Sequence, residues 1–146
     1  AAAEHLTSIM AEAMLESSDM MRAADPRMFA LYAWHAMEEM EHKAVAFDVY
    51  RAVGGTEKLR RQAMRQATFF LALDIGLCLL HMLRKDKNLW NLRVWREGWK
   101  FLFFKGGILR RVWPAYKEYY REGFHPWDRD TRPLLASWKV NDALAA

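Results

Sequence analysis

WHAMEEMEHKAVAFDVY, residues 34–50, is the stretch on which the reading of this chain turns. Wound as a helix at about 100° per residue, the segment around it places Met28, Leu31, Tyr32, His35, Glu38, Glu39, His42, Val45, Ala46 and Val49 on one broad face. Apolar residues bracket four ionisable ones. An amphipathic helix keeps its charge on the outer face, so the pattern predicts a core-facing stripe with a polar cluster inside it. Burying such groups is costly unless each finds a partner. Carboxylates and imidazoles side by side find one in a metal ion. Glu39-Met40-Glu41-His42 is an E-x-x-H whose first and last residues lie one turn apart, so one oxygen and one nitrogen can reach a single ion. A solvated acidic patch, or a hydrogen-bonded His–Glu network, is the other reading of the same residues.

Outward from this stretch everything reads helical. The 7 glycines and 4 prolines fall as punctuation, and no alternating run suggests a sheet. A first helix is expected over about 2–18, weakened by Ser17-Ser18-Asp19. Asp25 is a natural N-cap and Pro26 a natural first residue for a second helix, which runs to Val53 and is stopped by Gly54-Gly55. Thr56 caps a third helix to about 84. Its second half, TFFLALDIGLCLLHML at 68–83, is nearly all apolar. That run is shorter than the roughly 20 residues a membrane span needs, and it contains Asp74 and His81. It is therefore expected to be a buried core helix, with Cys78 a small buried hydrophobe. Further helices are expected near 89–104, 107–121 and 131–142. In the turn-rich FHPWDRDTRP between the last two, Asp128 or Asp130 can cap the final helix. The expectation is a single all-α domain over 1–146, with a helix hairpin at 2–53 and the remaining helices at 57–142.

One cysteine in 146 residues precludes an internal disulfide framework and suits a reducing, cytoplasmic setting. The net charge of +4 is mild, but it is unevenly spread. Residues 84–122 hold eleven Lys/Arg against four Asp/Glu, whereas residues 1–50 are acidic. Six of the seven tryptophans lie between 90 and 138. Trp90, Trp95, Trp99 and Trp113 alternate with Arg93, Arg96, Lys100, Lys105, Arg110 and Arg111. Three uses fit this half: a packed aromatic core with a basic rim, attachment to an anionic membrane surface, or single-stranded nucleic acid. No nucleic-acid module is recognisable, which puts that use last.

The stretch ADPRMFALYAWHAMEEMEHKAVAFDVYRAVGG, with FHPWDRDTRPLLASW near the end, resembles the bacterial predicted metal-dependent hydrolase family, from about residue 4 to 140. That family is similar to ferritin-like two-metal bundles. The resemblance implies an all-α ferritin-like helical bundle, a divalent and dinuclear metal centre (Fe, Mn or Zn), and hydrolysis of a small molecule. The ferritin-like pattern also implies a lone ligand Glu on the preceding helix. Glu4 stands at a similar interval before Glu39, with His5 and Glu12 as fallback ligands. The implied metal ligands are thus Glu4, Glu39 and His42. His35 and Glu38 are placed as catalytic groups that shuttle a proton or orient a ligand. A full site of this type needs another Glu and another E-x-x-H, and residues 57–146 contain neither. The expectation is that the bundle's other helix pair precedes Ala1 or comes from another chain, as in a homodimer. Zinc or manganese would favour hydrolysis. Two irons would favour oxidase or oxygenase chemistry. A non-enzymatic membrane-surface or interaction module is the alternative from a different class. A lipid-like substrate would fit a peripheral position on the membrane.

Overall fold

The computed structural model describes residues 1–17, 25–104 and 106–145. Ser18, Asp19 and Lys105, named above, lie outside them. The chain is all-α: α1 (Ala2–Glu16), α2 (Pro26–Glu41), α3 (Val45–Ala52), α4 (Glu57–Lys85), α5 (Leu92–Phe103), α6 (Ile108–Glu118) and α7 (Arg132–Ala145), with no strand among the described residues.

The expected punctuation is present. The Asp25 carboxylate accepts the Arg27 N–H at 2.9 Å, with Pro26 as the first helical residue. Gly54 takes a left-handed φ of 82°, which suits a residue without Cβ. The Thr56 hydroxyl accepts the Leu59 N–H at 3.3 Å and starts α4. Asp130 accepts the Arg132 N–H at 3.1 Å at the start of α7. His125 belongs to the turn before it, accepting the Trp127 N–H on Nδ1. That leaves Nε2–H to donate to Asp48 at 2.8 Å.

Helix α1 is the hub. It packs against α2, α4, α6 and α7, and it is buried along most of its length. Its first half joins one apolar core, Leu6 and Ile9 meeting Phe47, Met64, Ala115, Tyr119 and Phe124. Its second half joins another, Ala11 and Leu15 meeting Ala33, Ala36, Met37, Met40 and Leu135.

Four expectations are corrected here. First, the helix from Pro26 does not run unbroken to Val53. It breaks at His42–Ala44, where Lys43 turns inward. Lys43 is 4% exposed, donating to the Arg129 carbonyl at 2.6 Å and to Thr131 Oγ1 at 3.0 Å, with its ammonium 4.2 Å above the Trp127 ring. The Glu4 carboxylate then accepts the Ala46 N–H at 3.1 and 3.2 Å and stabilises the new helix start at α3. Second, α2 buries Ala33, Ala36, Met37 and Met40. The stripe read as core faces outward, with Leu31 53% and Val49 58% exposed. Small alanines let α1 approach closely on the buried side, and that contact outweighs the larger apolar residues opposite.

Third, the apolar half of α4 is not core, and Cys78 is exposed. A helix of 29 residues is about 44 Å long. It meets the central cluster through Ala63, Met64, Ala67 and Leu71, and its later turns extend past the shorter α1. Fourth, α5 buries none of its residues, so its aromatic face is not a packed core. Tyr119, just beyond α6, is fully buried, and burial pushes its phenol up to about 12.

Candidate metal-binding face

The site builds from two antiparallel helices. Thr7 projects from α1 toward α2, its hydroxyl donating to the Glu39 carboxylate. The same oxygen lies 3.0 Å from the Glu4 carbonyl one turn earlier. Glu39 is thereby turned toward α1, whereas the Glu4 carboxylate is engaged by the Ala46 N–H at the start of α3. Glu39 Oε1 is 3.6 Å from His35 Nε2. One turn further on, Glu38 Oε2 is 3.9 Å from His42 Nδ1. All four α2 groups are open to solvent to some degree, the His35 and His42 side chains at 59% and 62% and Glu38 and Glu39 at 43% and 28%.

The structure thus brings Thr7, Glu39 and His35 together, pairs His42 with Glu38, and leaves the Glu4 carboxylate on the α3 backbone. It does not aim Glu4, Glu39 and His42 at a single point. Among the described residues no three His, Cys, Asp or Glu side chains converge closely enough to hold an ion. The donor chemistry nevertheless fits a divalent metal: two carboxylates and an imidazole on one face, with exposed side chains that change rotamer at little cost. Glu4 spends its carboxylate on the α3 backbone, and Glu39 is partly held by Thr7.

The fallback ligands are corrected. His5 is buried, and its Nε2–H donates to the Ala115 carbonyl at 3.3 Å. Burial holds its imidazole down at about 4, helped by the charges of Lys43 and Arg60. Glu12 is also buried and accepts from Arg129 Nε at 2.7 Å. These two face a cavity of about 10 Å³, far too small for a substrate, lined also by Ser8, Lys43 and Thr131. Asp74 stands on the uncovered half of α4, with no hydrogen bond or ion pair among the described residues. Sequence reading missed Thr7. Its signal was its position, one turn after Glu4 on the side of α1 that meets α2.

Fold and face together define an all-α protein with a carboxylate–imidazole cluster on a helix pair. A model of the family described as "Predicted metal-dependent hydrolase" matches residues 1–130, and the chain belongs to that family. No curated protein and no solved structure matches the chain.

Proposed function

We propose that this chain is a metal-dependent hydrolase whose ion binds on the α1–α2 face, held by Glu4, Glu39 and His42. The observation that carries the reading is the Thr7–Glu39 hydrogen bond, which turns the first residue of the E-x-x-H toward α1, the helix that carries Glu4. Family membership supports the metal dependence and the hydrolytic class. A bound divalent ion would supply Lewis acidity and a water ionised near neutral pH.

The chain's own groups have distinct tasks in this scheme. Thr7 restrains Glu39 Oε2 and leaves Oε1 on the side of His35. Glu38, beside His42 Nδ1, orients that ring through its second nitrogen. His35, beside Glu39, accepts and returns a proton.

Two-metal centres of the ferritin-like type use a Glu from each of two helices and an E-x-x-H from each of two others. This face holds one of each. Its outward apolar residues, Met28, Leu31, Tyr32, Val45 and Val49, offer a seat for a second helix pair carrying the remaining donors, for instance from a second copy of the chain. Covering that seat would also exclude water from the four ionisable groups. The substrate is a small molecule.

Metal content measured by mass spectrometry on protein purified without added metal or chelator tests this reading. The wild-type chain is expected to carry near-stoichiometric iron, manganese or zinc. A Glu39→Ala/His42→Ala double variant is expected to lose at least tenfold, with unchanged helix content because both residues lie outside the two apolar cores. No metal in a folded wild type, or equal metal in the variant, contradicts the assignment.

A further inference from the structure

We infer that the end of α4 and helix α5 form an attachment surface for an anionic phospholipid leaflet, separate from the metal-binding face. At about 100° per residue, α5 sorts cleanly. Leu92, Trp95, Trp99, Leu102 and Phe103 occupy one side, and Arg93, Arg96, Glu97 and Lys100 the other, with Phe101 flanking the polar side. The apolar side stays largely open to solvent, although α6 packs against part of the helix. Trp99 is 63% exposed and Leu92 82%. Glu97 is shared between Arg96 at 3.2 Å and Lys100 at 3.1 Å, so the polar side keeps a net charge of +2. Aromatic and aliphatic residues opposite Arg/Lys are the composition of a helix lying at the headgroup boundary.

The surface is continuous with α4. Leu80 of α4 and Leu89, Trp90, Leu92 and Trp95 line one open apolar groove of about 490 Å³. Trp95 already satisfies its indole N–H on the Leu89 carbonyl at 2.7 Å, so its ring can enter an apolar phase without an orphaned donor. An 18-residue window of Glu57–Lys85 has mean hydropathy 1.6 and no buried share, and by length and composition this helix could cross a membrane.

Its exposed residues lie all round the helix, with Phe69, Phe70 and Leu73 on one side and Ile75, Leu79 and Met82 on the other. A helix that is apolar on every side needs cover on every side. Lipid provides that more readily than one protein groove. Asp74, midway along the run, opposes a full crossing, because a carboxylate is costly in the hydrocarbon core. The helix end therefore dips into the interface beside α5. Electrostatics agree: the segment 84–122 carries an excess of seven positive charges, which suits the anionic cytoplasmic leaflet.

Flotation of the full chain with vesicles tests this. At low salt the chain is expected to float with phosphatidylcholine vesicles containing phosphatidylserine, and roughly tenfold less with phosphatidylcholine alone or in high salt. Trp99→Glu and, separately, Arg93→Glu/Arg96→Glu are expected to cut flotation by about tenfold or more. Circular dichroism should be unchanged, since α5 contributes no buried residue. Failure to float with either vesicle at low salt overturns the inference. So does flotation that neither variant weakens. A soluble oligomer that Trp99→Glu converts to monomer, without flotation, assigns the face to a second copy and also overturns it.

Discussion

Arg60→Ala is expected to destabilise the fold by about 3–5 kcal/mol, the combined cost of truncating a large buried side chain and of leaving buried carbonyls without a donor. Arg60 is 1% exposed. Its guanidinium donates to the Tyr119 carbonyl, to the Arg121 carbonyl at 2.9 Å and to Glu57 at 2.5 and 3.2 Å. It also lies 4.7 Å from the Tyr119 ring centroid and 5.5 Å from that of Phe124. One side chain thus fastens α4 to the end of α6 and satisfies carbonyls left over where that helix stops. Alanine would leave those carbonyls unpaired beside a cavity. Lysine keeps the charge but has no planar fork with which to meet several acceptors at once, so Arg60→Lys should recover only part of the loss. With a total stability of about 5–15 kcal/mol for a domain, urea unfolding should show the alanine midpoint lower by about 2 M. A change below about 1 kcal/mol would mean that the aromatic cluster holds α4 without the guanidinium.

Acid should weaken the same region through His5. Its imidazole sits at about 4 in the folded chain, mainly because burial disfavours the charged form. In the unfolded chain it returns to about 6.5. Between those values the unfolded state binds a proton that the folded state refuses, so stability falls as pH drops from about 6.5 to about 4 and this contribution levels off below. The difference of about 2.5 units corresponds to about 3 kcal/mol. His5→Gln keeps an N–H for the Ala115 carbonyl and does not titrate. The gap between the wild-type and His5→Gln stability curves should therefore change by about that amount across the window. Parallel curves would show that His5 is charged in the fold. Asp130, held down to about 2 chiefly by its hydrogen bonds to Arg132, stays ionised throughout and does not contribute to this step.

The ends of the helices were legible because capping is local. Asp25, Thr56, Gly54 and Asp130 each act within a few residues of themselves. The inward face of α2 was not legible. Periodicity weighs large apolar residues, and Met28, Leu31, Tyr32 and Val49 outweigh Ala33 and Ala36 on that scale. Close packing against α1 follows small volume instead, and only the neighbouring helix reveals it. The break at Lys43 was hidden for a similar reason. Its partners, Arg129 and Thr131, lie far along the chain. The apolar run in α4 announced burial, but local sequence says nothing of where the neighbouring helices end. The candidate site was half legible. E-x-x-H spacing marked Glu39 and His42, and the family resemblance marked Glu4. The hydrogen bonds of Glu4 to the α3 backbone and of Thr7 to Glu39 arise only when α1, α2 and α3 meet.

The central claim is that the ion sits on this face, and an anomalous-scattering map of crystals grown with zinc or manganese tests it most directly. The account predicts a peak bonded to a Glu39 oxygen and a His42 nitrogen, at about 2.0–2.2 Å for zinc, with Glu4 turned from the Ala46 N–H to complete its share of the ligands. A strong peak bonded elsewhere, or none while Glu4 still caps α3 and Thr7 still holds Glu39, would contradict it.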